Sequence, residues 1–247
     1  MNQSDGLVII PTYREAENIA AIIDAVMGLS HQFDVLIVDD NSPDGTADIV
    51  RTKQQQYPDR VFLIERAGKL GLGTAYIEGF RWALRRHYEY VFEMDADFSH
   101  NPADLLRLYD ACAGAQDADV AIGSRYVTGI NVVNWPIGRV LMSYYASVYV
   151  RLVTGMKVKD ATAGFVCYRR EVLKSINLND IRFKGYAFQI EMKYTAVQLG
   201  FKVVEVPIVF VNRQLGESKM SGGIFSEGLF GVMRLKWDSI FNKKVRL

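Results

Sequence analysis

Short apolar runs alternate with longer stretches of helical period along the first half of the chain. Leu7-Val8-Ile9-Ile10 reads as a buried strand stopped by Pro11, and Ile19, Ile22, Ile23 and Val26 then recur at helical spacing within Glu15 to Met27. Val35 to Val38 leads into a polar helix ending near Gln56, and Val61 to Ile64 into a helix from Thr74 to about His87. Tyr90 to Glu93 is followed by a helix opening at Pro102, and Val120 to Gly123 makes a fifth strand. Strands separated by roughly 10–15 residues of helical pattern predict β-α-β units and a mainly parallel sheet. After Gly123 the pattern changes. A polar loop to Pro136 precedes an apolar, aromatic helix from Ile137 to Val153, then a strand over Phe165 to Tyr168 and a helix from Ala187 to Leu199. The extended run Val203 to Val211 is interrupted by Pro207, which predicts an edge or a bulge there, and a last amphipathic helix spans Ile224 to Phe241. Residues 1–123 read as a nucleotide-binding half of one α/β domain, and residues 124–247 as the half that meets a second substrate.

Composition narrows the class. With 49% hydrophobic and 23% charged residues over 247 positions the chain is globular, not disordered. A net charge of +1 supplies no basic field for nucleic acid, so any nucleotide bound is a small one. Cys112 and Cys167 lack the spacing of a zinc site and read as buried thiols in a reducing compartment. The start carries neither a basic nor an apolar leader region, and no run of 18 apolar residues occurs, so a cytoplasmic chain without a membrane span is expected.

Candidate chemistry gathers at the ends of strands. Pro11-Thr12-Tyr13-Arg14-Glu15, Asp39-Asp40 and Asp95-Ala96-Asp97 each follow an apolar run, and the carboxyl ends of parallel strands share one edge, so these groups should converge. Asp95 and Asp97 repel each other unless a cation lies between them and a ligand, and Mg²⁺ or Mn²⁺ on phosphates answers that need. The plainer alternative is a loop acid and a helix cap. Asp39 suits a base or ribose through its acceptor oxygens. Gly71-Leu72-Gly73 fits the dinucleotide fingerprint poorly, and reads as a turn for close backbone approach to a ligand or as ordinary loop geometry.

Together these stretches, with Gly71 to Tyr76, Met94 to His100, Gly123-Ser124-Arg125-Tyr126, Asp160 to Phe165, Gln189-Ile190-Glu191 and Arg213 to Lys219, resemble the family 2 glycosyltransferases of GT-A fold. Within that family the likeness is greatest to the polyprenyl (dolichyl) phosphate mannose synthases. The resemblance implies a Rossmann-like sheet with acceptor-side and amphipathic helices toward the C-terminus. It also implies an inverting, metal-dependent hexosyltransferase that moves mannose from GDP-mannose to polyprenyl phosphate. Pro11, Tyr13, Glu15 and Asp39 would hold the donor's nucleoside, and Asp95 and Asp97 its ribose, diphosphate and metal. Arg213 and Lys219 would serve the donor as well. Some members carry glutamine where this chain has Ser99.

The acceptor decides whether a base is needed. A phosphate monoester, with a second pKa of about 6, is already an anion at neutral pH and needs orientation and charge screening only. Arginine forks suit that task, and Arg125, Arg139, and Arg213 with Lys219 are the candidates. His31, His87 and His100 show no ligand spacing and are assigned structural roles, and Glu191 reads either as a base or as a buried packing group. The aromatic helices 137–153 and 224–241, with Lys243-Lys244-Val245-Arg246, predict either a membrane-surface location or a cover for the sheet. An anchoring membrane subunit would be compatible with the former. Competing readings are a sister transferase using a UDP-sugar, an Asp-x-Asp phosphohydrolase, and a sugar-nucleotide-binding subunit without catalysis.

Overall fold

Every residue of the run Leu7 to Ile10 is buried, because the strand it forms is covered on both faces. Leu7 and Ile9 point into one core, Val8 and Ile10 into the other. A computed structural model describes residues 3–185, 187–213 and 231–238. In chain order its elements begin with β1 (Gly6–Thr12), α1 (Ile19–Met27), β2 (Phe33–Asp39), α2 (Thr46–Gln56) and β3 (Val61–Glu65). There follow α3 (Leu72–Leu84), β4 (Tyr90–Glu93), α4 (Asp104–Ala113), β5 (Val120–Ser124), β6 (Val132–Val133) and α5 (Ile137–Thr154). The last are β7 (Val166–Arg169), α6 (Arg170–Ser175), α7 (Ala187–Gln198), β8 (Val203–Pro207) and β9 (Phe210–Val211), with a helical stretch, α8, over 231–238.

One sheet of seven strands runs in the order β3-β2-β1-β4-β7-β5-β8. Helices α1, α2 and α4 bury their apolar stripes on one face, and α3, α6 and α7 on the other. The chain winds outward from β1 to β2 and β3, then returns to place β4 on the opposite flank of β1. That reversal is the switch point at which an α/β sheet opens a ligand crevice. Here β4 pairs with β1 only from Gly6↔Tyr90 to Ile9↔Glu93, while β1 and β2 stay paired to Thr12↔Asp39. Pro11 therefore does not stop the strand. It lies beyond the last β1–β4 pair, so its missing N–H breaks no bond on that flank.

The mainly parallel sheet is as expected, with one departure. β7 runs antiparallel between β4 and β5 (Glu93↔Val166, Ile122↔Val166), and an apolar run does not encode the direction of its strand. Its reversal brings the residues that precede it, 160–165, to the edge that carries Asp95. β8 is an edge strand that ends at Pro207, as the proline requires, and the rest of that extended run forms β9, which pairs with β6. α1 starts at Ile19 and not at Glu15, because residues 15–18 form a turn whose Glu15 carbonyl accepts the N–H groups of Asn18 and Ile19. α5 packs through Val150 against Ile190 and Tyr194 of α7 and Val232 of α8, a third small core.

Candidate active site

The turns after β1, β2 and β4 stand side by side because their strands do. The first two are laced together: Arg14 N–H donates to Ser42 Oγ (3.0 Å), Glu15 N–H to Thr46 Oγ1 (3.1 Å) and Ala16 N–H to Asp44 Oδ2 (3.1 Å). Asp39 Oδ1 accepts the hydroxyls of Thr12 (2.7 Å) and Ser42 (2.6 Å), and Oδ2 accepts Ser42 N–H (2.8 Å). Its carboxylate is thus held rigidly at the crevice by the chain itself. Glu15 is buried and Oε2 accepts Asn18 Nδ2 (3.0 Å), while the ring of half-buried Tyr13 lies 5.4 Å from the Arg14 guanidinium carbon and 5.2 Å from Lys69 Nζ. Each turn also contains one non-glycine residue in the left-handed region, Arg14 (φ 56°), Asn41 (φ 55°) and Phe98 (φ 58°). Such backbone costs about 1–3 kcal/mol per residue and is retained where surrounding contacts hold it. Phe98, bulky and directly after Asp97, is the least compatible of the three with that conformation.

Asp95 and Asp97 reach the crevice together. Burial, then the neighbouring Asp97 charge, push the Asp95 carboxyl up to about 7 against the lowering influence of Arg213 and Arg125. Among the described residues no hydrogen bond reaches its carboxylate, while its backbone N–H donates to His100 Nδ1 at 3.5 Å. Asp97 is held differently: Oδ1 accepts Ser99 N–H (3.0 Å) and Ser99 Oγ (2.5 Å), and Oδ2 pairs with Arg213 Nη2 at 2.7 Å. Ser99 therefore orients Asp97. No group of three His, Cys, Asp or Glu side chains suited to a metal occurs among the described residues. Two crowded carboxylates fit an ion that takes its other ligands from phosphates and water, which is the habit of Mg²⁺ and Mn²⁺. His100 is buried and stacked on Phe165 (4.8 Å), and burial pushes its imidazole down to about 4, so it is a neutral structural acceptor at neutral pH.

Past these acids a cavity of about 410 Å³ opens between the sheet edge and α5, with Asp95 at one part of its lining and Arg125 and Arg139 at another. Its remaining wall is mostly apolar, including Met142, Tyr145, Val150, Ile190 and Phe210. Arg125, at the end of β5, is not presented bare. Asp160, fully buried, accepts Arg125 Nε (2.7 Å), Nη2 (2.6 Å) and backbone N–H (2.9 Å), and Thr162 Oγ1 accepts Nη2 at 2.8 Å. Burial alone would raise the Asp160 carboxyl, but the Arg125 charge and its hydrogen bonds outweigh this and hold it below its ordinary value. Arg139 donates to Asn212 Oδ1 (3.3 Å) and has no carboxylate partner among the described residues. Lys219 lies outside the described residues, as do Gly216, Ser218, Phe225, Phe230, Phe241 and the 243–246 tail.

Sequence reasoning missed several groups that support the site. Arg66 donates to Asp40 Oδ1 (2.5 Å) and Thr74 Oγ1 (2.7 Å), tying the β2 turn to the start of α3. The glycine turn it braces packs closely against the chain itself. A Cβ on Gly73 would fall 2.7 Å from Phe188 Cγ and 2.9 Å from the Phe183 carbonyl oxygen, and one on Gly71, at φ 104°, 3.2 Å from Lys184. Glu191 Oε2 accepts the N–H groups of Arg182 (2.9 Å) and Phe183 (3.0 Å), so it secures that same segment, a packing role. Beneath Asp95, Glu93 and Lys193 are buried together; burial pushes the carboxyl up to about 8 and the ammonium down to about 8. Lys193 Nζ donates to the Ala163 carbonyl (2.5 Å) and to Gln189 Oε1 (3.1 Å). The signal for Asp160 was an acid at the head of the small, neutral run Ala161-Thr162-Ala163-Gly164; nothing in the sequence marked Lys193 within its helix.

A mainly parallel sheet flanked by helices, with an Asp-x-Asp turn at its switch point, is the architecture of a GT-A-like fold. The sequence model of Glycosyl transferase family 2 matches residues 7–176, and the chain belongs to that family. It is 50% identical over 226 residues, 92% of its own length and 84% of the relative's, to the polyprenol monophosphomannose synthase of Mycolicibacterium smegmatis. To the undecaprenyl-phosphate mannosyltransferase of Micrococcus luteus it is 45% identical over 238 residues, 95% of this chain and 96% of that one. The fold superposes on glucosyl-3-phosphoglycerate synthase of Mycobacterium tuberculosis in complex with Mn²⁺, UDP-glucose and phosphoglyceric acid (TM-score 0.70, 16% identity, 94% and 79% coverage).

Proposed function

We propose that this enzyme transfers mannose from GDP-mannose to a polyprenyl phosphate, inverting the anomeric centre to give a β-linked lipid phosphosugar. The observation that carries the reading is a cavity with Asp95 of the Asp-x-Asp turn at one side, two arginines at another and an apolar wall between them. The names of the two relatives at 50% and 45% identity support both the sugar and the class of acceptor. Asp95 and Asp97 would hold a divalent ion, which when bound neutralises the leaving diphosphate. Asp39, Glu15, Tyr13 and Pro11 would seat the nucleoside, and Arg213, with Lys219, the diphosphate. Arg125 and Arg139 would grip the acceptor's phosphate. Its oxygen is already anionic, so no side chain has to take a proton, and neutral His100 and buried Glu191 are spared that task.

The acceptor's chain accounts for apolar surface that the core does not use. Ile137, Leu141, Tyr145 and Leu152 share one side of α5 at 73, 44, 63 and 80% exposure, and Met233 and Trp237 of α8 are exposed at 45 and 64%. Such a stripe suits a helix lying in the lipid interface. No described helix is long and apolar enough to cross a membrane. The reading is therefore peripheral attachment at the cytoplasmic face, with or without an anchoring subunit. Incubation with labelled GDP-mannose, Mn²⁺ and polyprenyl phosphate, followed by lipid extraction, tests it. Label should enter the lipid fraction and should fail to do so with Asp97→Ala; label delivered from UDP-glucose but not from GDP-mannose would replace the donor.

A further inference from the structure

Trp135 belongs to none of the groups discussed so far, yet it touches both cationic arms of the cavity. It follows β6 and directly precedes Pro136, the residue that caps the start of α5, and Arg139 lies one turn further along. The Arg139 guanidinium carbon is 4.1 Å from the indole centroid, and that of Arg125, arriving from β5, is 5.7 Å away. Phe210 packs edge-on against the same indole at 5.1 Å, held there because β9 pairs with β6 (Val132↔Phe210). The indole also lines the cavity, and its N–H is buried without an acceptor among the described residues.

Two guanidinium groups drawn to one wall repel each other. A carboxylate between them would hold them, but it would also cancel the charge that an anionic ligand needs. Arg125 already shares its fork with Asp160, whereas Arg139 has only an amide oxygen and the indole among its described partners. An aromatic face attracts a cation without neutralising it. We propose that Trp135 is a positioning residue that holds Arg139 against the wall on which Asp160, Tyr126 and Phe210 keep Arg125, so that both are poised for the phosphate of the acceptor. The proposal rests on the reading above that these arginines take that phosphate.

The test compares Trp135→Leu, Trp135→Phe and Arg139→Ala, using a short-chain polyprenyl phosphate as the acceptor and calorimetric titration of GDP with Mn²⁺ for the donor side. Trp135→Leu should raise the acceptor KM about tenfold, the scale of a desolvated cation–π contact, and leave the affinity for GDP with Mn²⁺ within about twofold. Trp135→Phe, which keeps an aromatic face, should recover most of that loss. In a Trp237→Phe background, which removes the exposed indole of α8, the acceptor should also change tryptophan emission, and adding Trp135→Phe should abolish the change although Trp82 remains. Equal damage from Leu and Phe, a parallel loss of GDP affinity, or an emission change that survives in Trp135→Phe would overturn the proposal. If Trp135→Leu does not fold, Trp135→Met takes its place in the KM and GDP comparison, with the same outcomes expected and the same ones overturning the proposal. An Arg139→Ala enzyme with an unchanged acceptor KM would remove the phosphate reading itself. A raised KM in Arg139→Ala with none in Trp135→Leu would remove only the role of Trp135.

Discussion

Replacing Asp160 with asparagine tests the central support of the acceptor side. The side chain is fully buried and both of its oxygens accept hydrogen bonds from Arg125, so whichever way the new amide turns, an NH₂ faces a guanidinium donor. The variant loses the ion pair and leaves a nearly buried Arg125 charge beside a misplaced donor. Breaking one partner of such a pair costs about 3–5 kcal/mol. For a chain of this size each kcal/mol lowers Tm by about 2–4 °C, so a fall of about 6–20 °C is expected in thermal melts followed by circular dichroism. The sign of the pH dependence follows from the depressed Asp160 carboxyl. Its contribution is complete above the unfolded-state value of about 3.9 and is lost as pH falls through the lower folded value. The gap between native and Asp160→Asn proteins should therefore be constant from pH 7 to about 5 and narrow at more acid pH. A Tm difference under about 2 °C at pH 7, or a gap that does not narrow toward pH 3, would refute the reasoning.

Two further outcomes follow from the packing beneath the site. Gly73→Ala puts a methyl group against the Phe188 ring and the Phe183 carbonyl, and should lower stability by about 1–3 kcal/mol in urea titrations; an unchanged midpoint would show that Phe183 and Phe188 yield easily. Lys193→Met leaves the Ala163 carbonyl and Gln189 Oε1 without their buried donor and should cost about 1–3 kcal/mol, whereas the paired change Glu93→Leu with Lys193→Met, which also removes a buried carboxyl, should recover part of the loss. A double variant no more stable than the single one would show that Lys193 is needed for the Ala163 and Gln189 contacts and not for Glu93.

Much of this molecule is decided by local pattern. The run Leu7 to Ile10, apolar at every position, can only be a strand covered on both faces, and the periodic Ile19, Ile22, Ile23 and Val26 can only turn one stripe of a helix inward. Those signals place Asp39, Asp95 and Asp97 at or just past strand ends before any contact is known, although the true end of β1, beyond Pro11, was set by its pairing with β2. Tertiary structure decided the rest, since it depends on which residues meet across the fold. The antiparallel course of β7 delivers Asp160 to Arg125, 35 residues away, and converts an apparently exposed arginine into a braced one. Gly71 and Gly73, open in the sequence to a ligand or to ordinary loop geometry, make room for Phe183, Lys184 and Phe188. Trp135 and Arg139 are near neighbours in sequence, but only the pairing of β6 with β9 and the end of β5 bring Phe210 and Arg125 to the same indole. Spacing along a chain fixes the direction of side chains within one element; the partners of a charge are chosen by the sheet order and the course of the connections.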